Sequence, residues 1–218
     1  MVARKAGGSD KGSGGVAFAA AVLVVLAGAG GAGGAALNSG AASGGGGAAP
    51  AAAESISVRK WDAKRAARGG DAERAMSHLG VAISKQALKQ ELDCAGNSFG
   101  QVRDFFLRTP CTSLDRLLLA VGDRAGNAAV VSVAWVTFPG RNQARQFDRV
   151  IDVAGSGDVK PLGGAVVGLP DVQFTARHYA SETRDTTITI AESEPATGHV
   201  EPDLLDAMTE VAAQLPRP

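Results

Sequence analysis

Apolar positions change their spacing several times along this chain, and each change predicts an element. From Asp71 onward Met76, Leu79, Ile83, Ala87 and Leu88 fall near one face of a 3.6-residue period. Asp71 can cap a helix starting at Ala72, so a helix from about Ala72 to Leu92 is expected, weakened at Gly80. Ser98-Phe-Gly-Gln101 has capping-box spacing and predicts a short helix through Val102, Phe105 and Phe106. The period then shortens. Leu114 to Val121 and Ala128 to Phe138 are strand-like, joined by a turn at Gly126-Asn127. The second strand is apolar on both faces, as a central strand is. A helix over 142–153 turns Ala144, Phe147, Val150 and Ile151 inward, and a Gly/Pro-rich loop covers 155–170. Val172 to Ala180 and Thr186 to Glu192 predict a second hairpin. Pro202 opens a last helix with Leu204, Leu205, Met208, Val211 and Leu215 as its stripe. The expected fold is α+β: an antiparallel four-stranded sheet in ββαββα order, with helices packed on one face.

The first part of the chain has no such pattern. An uncharged run from Gly12 to about Ser43 has its apolar heart at 16–26, preceded by Arg4, Lys5 and Lys11. A helix over residues 16–37 is long enough to cross about 30 Å of hydrocarbon. Basic residues before the run and none soon after it place the N-terminus inside. The organisation expected is a short cytoplasmic tail (1–15), a transmembrane helix (16–37), a Gly/Ala/Ser-rich linker (38–56) and an extracytoplasmic domain (57–218). The alternative is a signal segment cleaved near Ala32, Ala35 or Ala36, which would release the domain. Both readings put the domain outside the cytoplasm. Gly28, Gly30 and Gly33 match a dinucleotide-binding spacing, but they lead into low complexity instead of a βαβ unit.

Composition adds mostly exclusions. Lys+Arg and Asp+Glu both number 22, so no general electrostatic case exists for nucleic acid. Arg59, Lys60, Lys64, Arg65 and Arg68 surround Trp61. This segment reads as a solvated helical face, or else as a patch touching anionic lipid or wall polymer. The two cysteines, Cys94 and Cys111, are spaced too widely for C-x-x-C redox chemistry or a four-cysteine zinc site. An oxidising compartment makes them a disulfide, the alternative being two buried free thiols.

The chain has three histidines. His78 has no partner at i±4 and His199 lies in a Gly/Pro-rich loop, so neither predicts a metal site. His178 shares strand parity with Phe174 and Ala176, while Arg177 and Tyr179 face the other way. Arg177, His178 and Tyr179 are the candidate ligand surface, with Thr187 and Thr189 beside them on a polar outer sheet face. Gly155-Ser-Gly-Asp-Val-Lys160 lacks the ending of a phosphate loop. Asp148 and Asp152, interleaved with Arg145 and Arg149, read as a charged helical face. No catalytic residue, metal or cofactor is assigned.

The stretch from Cys94 to Arg116, with Val131-Ser-Val-Ala-Trp135, Pro161-Leu-Gly-Gly164 and Phe174-Thr-Ala-Arg-His-Tyr179, resembles a family of membrane-anchored or secreted actinobacterial proteins. That resemblance implies no activity and carries over no functional residue. The function expected is a non-enzymatic envelope module tethered to the cell membrane through residues 16–37, with a protein or cell-wall partner outside. The alternatives are an extracytoplasmic, hydrolase-like enzyme working through His178, and a sensory or accessory subunit of a membrane complex.

Overall fold

Strands with apolar residues on both faces need cover on both faces, and this requirement organises the domain. The computed structural model describes residues 55–170 and 172–218. The expected cytoplasmic tail, the transmembrane segment 16–37 and nearly all of the linker lie outside the described residues. Among the described residues no helix is long and apolar enough to cross a membrane.

The elements run α1 (Ile56–Arg68), α2 (Ala72–His78), β1 (Ala82–Glu91), α3 (Gly100–Arg108), β2 (Ser113–Gly122), β3 (Ala128–Thr137), α4 (Arg141–Ile151), β4 (Tyr179–Arg184), β5 (Thr187–Thr197) and α5 (Pro202–Ala212). The class is α+β with an antiparallel sheet, as expected. The sheet has five strands, not four, in the order β1-β2-β3-β5-β4.

The extra strand comes from the predicted long helix. The helix capped by Asp71 does form, with the carboxylate accepting from Arg74 N–H at 2.9 Å, but it ends at His78. Gly80 then adopts φ +88°, which a helix cannot accommodate. The chain reverses and Ala82–Glu91 pairs antiparallel with β2, Leu88 opposite Leu117. Lys85, Lys89 and Glu91 give this edge strand the charges that discourage further pairing.

The helices pack on both faces of the sheet, not on one. Leu119, Val121, Val131, Val133, Trp135 and Ala191 point to one side, under α1, α2 and α5. On the other side Leu114, Ala134, Val136, Ile188 and Ile190 meet α3 and α4. Phe105, Phe106, Phe138 and Phe147 fill that second layer, with ring centroids 4.9–6.2 Å apart. Leu118, Ala120 and Val130 continue the same side under Leu162 and Val167. β3 is the middle strand, and every residue from Ala129 to Val136 is buried.

Two smaller expectations also change. The Ser98 hydroxyl donates to Cys94 C=O, so the capping box does not form. The first free N–H groups of α3, from Gln101 and Val102, reach the Ser156 carbonyl instead. Residues 172–178 are not strand: Ala176 takes φ +57°, and β4 begins only at Tyr179.

Candidate functional site

Cys94 and Cys111 are disulfide-bonded, with Cα atoms 6.3 Å apart. The bond closes the two ends of α3 together. The turn it holds presents Phe99, which is 49% exposed while Phe105, Phe106, Phe138 and Phe147 are buried. Against this turn lies the 155–160 loop. Gly100 (φ +61°) and Gly157 (φ +101°) pack backbone to backbone, and a Cβ on Gly157 would stand 2.2 Å from the Phe99 carbonyl oxygen. Phe99 N–H donates to Asp158 C=O and Lys160 N–H to Asn97 C=O. The buried Arg116 guanidinium fastens the assembly to the sheet through Glu91, Asn97 Oδ1 and the Lys160 carbonyl. Burial alone would raise the Glu91 carboxyl, but hydrogen bonds from Lys89 and Arg116 outweigh it and hold the group below its ordinary range.

The loop and the 172–177 segment face each other across a cleft of about 230 Å³. Phe99, Pro161 and Phe174 form its apolar rim, and Asp158 and Glu192 lie at its base. Glu192 follows Ile188 and Ile190 on one face of β5, so strand alternation carries a carboxyl into the layer beneath the loop. It is 6% exposed and hydrogen-bonds to the Asp158 side chain. Two carboxyl groups in contact must share a proton. Burial first, and then the neighbouring Asp158, push the Glu192 carboxyl up to about 8. Burial raises Asp158 as well, opposed by the hydrogen bond from Glu192.

The opposite lip hangs on the same strand. Thr175 N–H donates to Glu194 Oε1 at 2.8 Å, and Ala176 N–H to Glu192 Oε2 at 3.2 Å. Chemically, the base of the cleft is a buried pair of carboxyl groups whose burial and mutual contact favour retention of a proton. It can accept hydrogen bonds or a positive charge, while the rim can cover an apolar body. A second cleft, about 300 Å³, lies between the β2–β3 turn and the start of α5. Its Asp123 is already satisfied by Ala125, Asn127 N–H and the Asn127 amide, and its His199 is 81% exposed at the side chain.

The sequence-predicted surface is divided by the sheet. Arg177 is exposed. His178 Nδ1 lies 2.7 Å from Asp206 Oδ1 on the α5 side. Tyr179 points the other way, its hydroxyl donating to Oδ1 of Asp152, just past the C-terminal end of α4. Burial first, and then the Asp152 and Asp158 charges, raise the Tyr179 phenol. Thr187 bonds to Thr137, and Thr189 is buried, so the polar outer sheet face does not exist. Asp148 and Asp152, read as a charged face, accept hydrogen bonds from Thr183 and from Tyr179 and Ser181, fastening α4 to β4. His178 does not line the acidic cleft.

Asp158, Glu192 and Glu194 were not legible as a group in the sequence. Their one sequence signal is two glutamates at alternate positions continuing an Ile-x-Ile stripe. Among the described residues, no group of three or more acidic, His or Cys side chains is arranged to hold a metal ion. Comparison with protein-family models, with curated proteins and with solved structures finds nothing that matches this chain.

Proposed function

We propose that this protein is a membrane-anchored extracytoplasmic recognition module, non-enzymatic, whose binding site is the cleft between Phe99 and Phe174 above Asp158 and Glu192. The observation that carries the reading is Phe99. Water-exposed phenylalanine is costly, yet here a disulfide-closed turn holds it at the rim of a cleft with a buried polar base. A rigid aromatic rim over a few convergent polar groups is how small-ligand and polymer-segment sites are commonly built. The chemistry suits an envelope-polymer or peptide segment that places an amine or other hydrogen-bond donor next to an apolar body.

The test is a titration of the full chain in detergent with soluble fragments of the cell-wall polymer, followed by amide NMR. Binding should move the Phe99, Thr175 and Ala176 signals, and Phe99→Ala should weaken it roughly tenfold, as loss of an aromatic anchor does. Binding indifferent to Phe99→Ala would remove the cleft from consideration.

A second reading, a hydrolase-like enzyme working through His178, draws on the His178–Asp206 pair, which orients an imidazole as a general base requires. Fragment masses after incubation separate the two: unchanged masses support recognition, and cleaved fragments abolished by His178→Ala would establish the enzyme.

A further inference from the structure

Helix α1 is amphipathic in an unusual way. Its inner face buries Ala63 and Ala67 completely. Its flanks are used up by the domain: Arg59 bonds to the Leu79 carbonyl, Lys60 and Lys64 to Glu210 at 2.9 and 2.6 Å, and Arg68 Nε to Gln214. Among the described residues, the third face, Val58, Trp61 and Arg65 at helical spacing, is left largely uncovered. Val58 is 46% and Trp61 63% exposed, and the Arg65 side chain is 75% exposed with only a 3.6 Å contact to Asp62. Tryptophan beside arginine, outside any core, is the pairing that sits at headgroup depth, where the indole is half in the apolar phase and the guanidinium meets phosphate.

Position in the chain makes the bilayer the matching occupant. The apolar run ends at residue 37, and α1 begins at Ile56. Eighteen residues separate the two, so on the anchored reading α1 is the first element of the domain after the membrane segment. We infer that the outer face of α1, through Val58, Trp61 and Arg65, docks on an anionic lipid surface and so orients the whole domain. This rests on the anchored reading of residues 16–37. Its consequence follows from the layers. α1 lies on one side of the sheet and the acidic cleft on the other, so docking turns the cleft away from the membrane, toward the envelope.

The chain contains two tryptophans, and they give the test its internal reference. Trp135 is 1% exposed, with its indole N–H bonded to Leu215 C=O, and is out of reach of lipid. The full chain is inserted into nanodiscs of phosphatidylglycerol or of phosphatidylcholine, each with and without brominated acyl chains. In phosphatidylglycerol, bromination should quench total emission by roughly twofold, as expected for one of two indoles at the interface. Trp61→Phe should abolish the quenching, and Arg65→Glu should reduce it. Insertion without quenching, or equal quenching in both lipids, overturns the inference and leaves the anchor standing. A chain that elutes free of the discs overturns the anchor and the inference together. A Trp61 emission shift on adding wall polymer, without lipid quenching, would give this face to the polymer instead.

Discussion

At the scale of single residues, the chemistry of the domain turns on Glu192. Burial first, and then the neighbouring Asp158, push its carboxyl in the folded domain up from an ordinary value of 4.5 to about 8. Between those values the folded state binds the extra proton and the unfolded state does not, so stability must fall as pH rises through that window and level off above it. Each unit of such a shift corresponds to about 1.4 kcal/mol, which makes the loss on the order of a few kcal/mol. Glu192→Gln keeps a donor for Asp158 and cannot ionise. Guanidinium unfolding at pH 5 and at pH 8.5 should show a large difference for the wild type and a small one for the variant. Equal pH dependence in both would show that the pair does not share a proton.

The elements around the cleft depend on a backbone contact that only glycine permits. Gly157 has φ +101° and no room for a Cβ, whereas Gly126, at φ +88°, has nothing within 4 Å of its Cβ position. The two substitutions thus share the dihedral strain and differ in the clash. Gly126→Ala should cost about 1 kcal/mol, and Gly157→Ala at least roughly 2 kcal/mol, with the 155–160 loop pushed off the Phe99 turn. Urea midpoints measure the difference, and amide shifts at Phe99 and Gln101 show where the strain is released. The same scale explains the missed strand. Gln, Ala, Leu and Lys in 82–91 favour helix, and Ile83, Ala87 and Leu88 fit a helical stripe, but nine residue pairs with β2, interrupted only at Ser84, outweigh that preference. The signal that favoured the strand was Gly80, which local propensity treats as a weak spot and the fold uses as a reversal.

For the whole molecule, the disulfide cross-links the segment that enters α3 to the α3–β2 connection that leaves it. Cys94 and Cys111 are 17 residues apart, and closing a loop of about that size stabilises a fold by about 3 kcal/mol in the chain-entropy model. Cys94→Ala/Cys111→Ala should lower stability by that order in thermal unfolding. It should also cost more binding at the Phe99 cleft than at any site on the α5 side, because the tie holds the rim. Unchanged stability would mean that α3 is fixed by its four-phenylalanine cluster alone.

The sequence alone determined what depends on local patterns: the α+β class, the β2–β3 hairpin, the helices opening at Asp71 and Pro202, and the central strand with two apolar faces, whereas the first strand of the second hairpin starts at Tyr179 and not at Val172. Strand β3 carries Val131 and Val133 on one side and Val130 and Val136 on the other, and both sides are covered, where helices on one face only were expected. What only the tertiary structure decided are relations between distant segments. The fifth strand, the split of helices between two layers, the separation of His178 from Tyr179, and the meeting of Asp158 with Glu192 all depend on long-range packing. Each of those residues is ordinary in its own neighbourhood, and its environment is made by chain that lies tens of residues away.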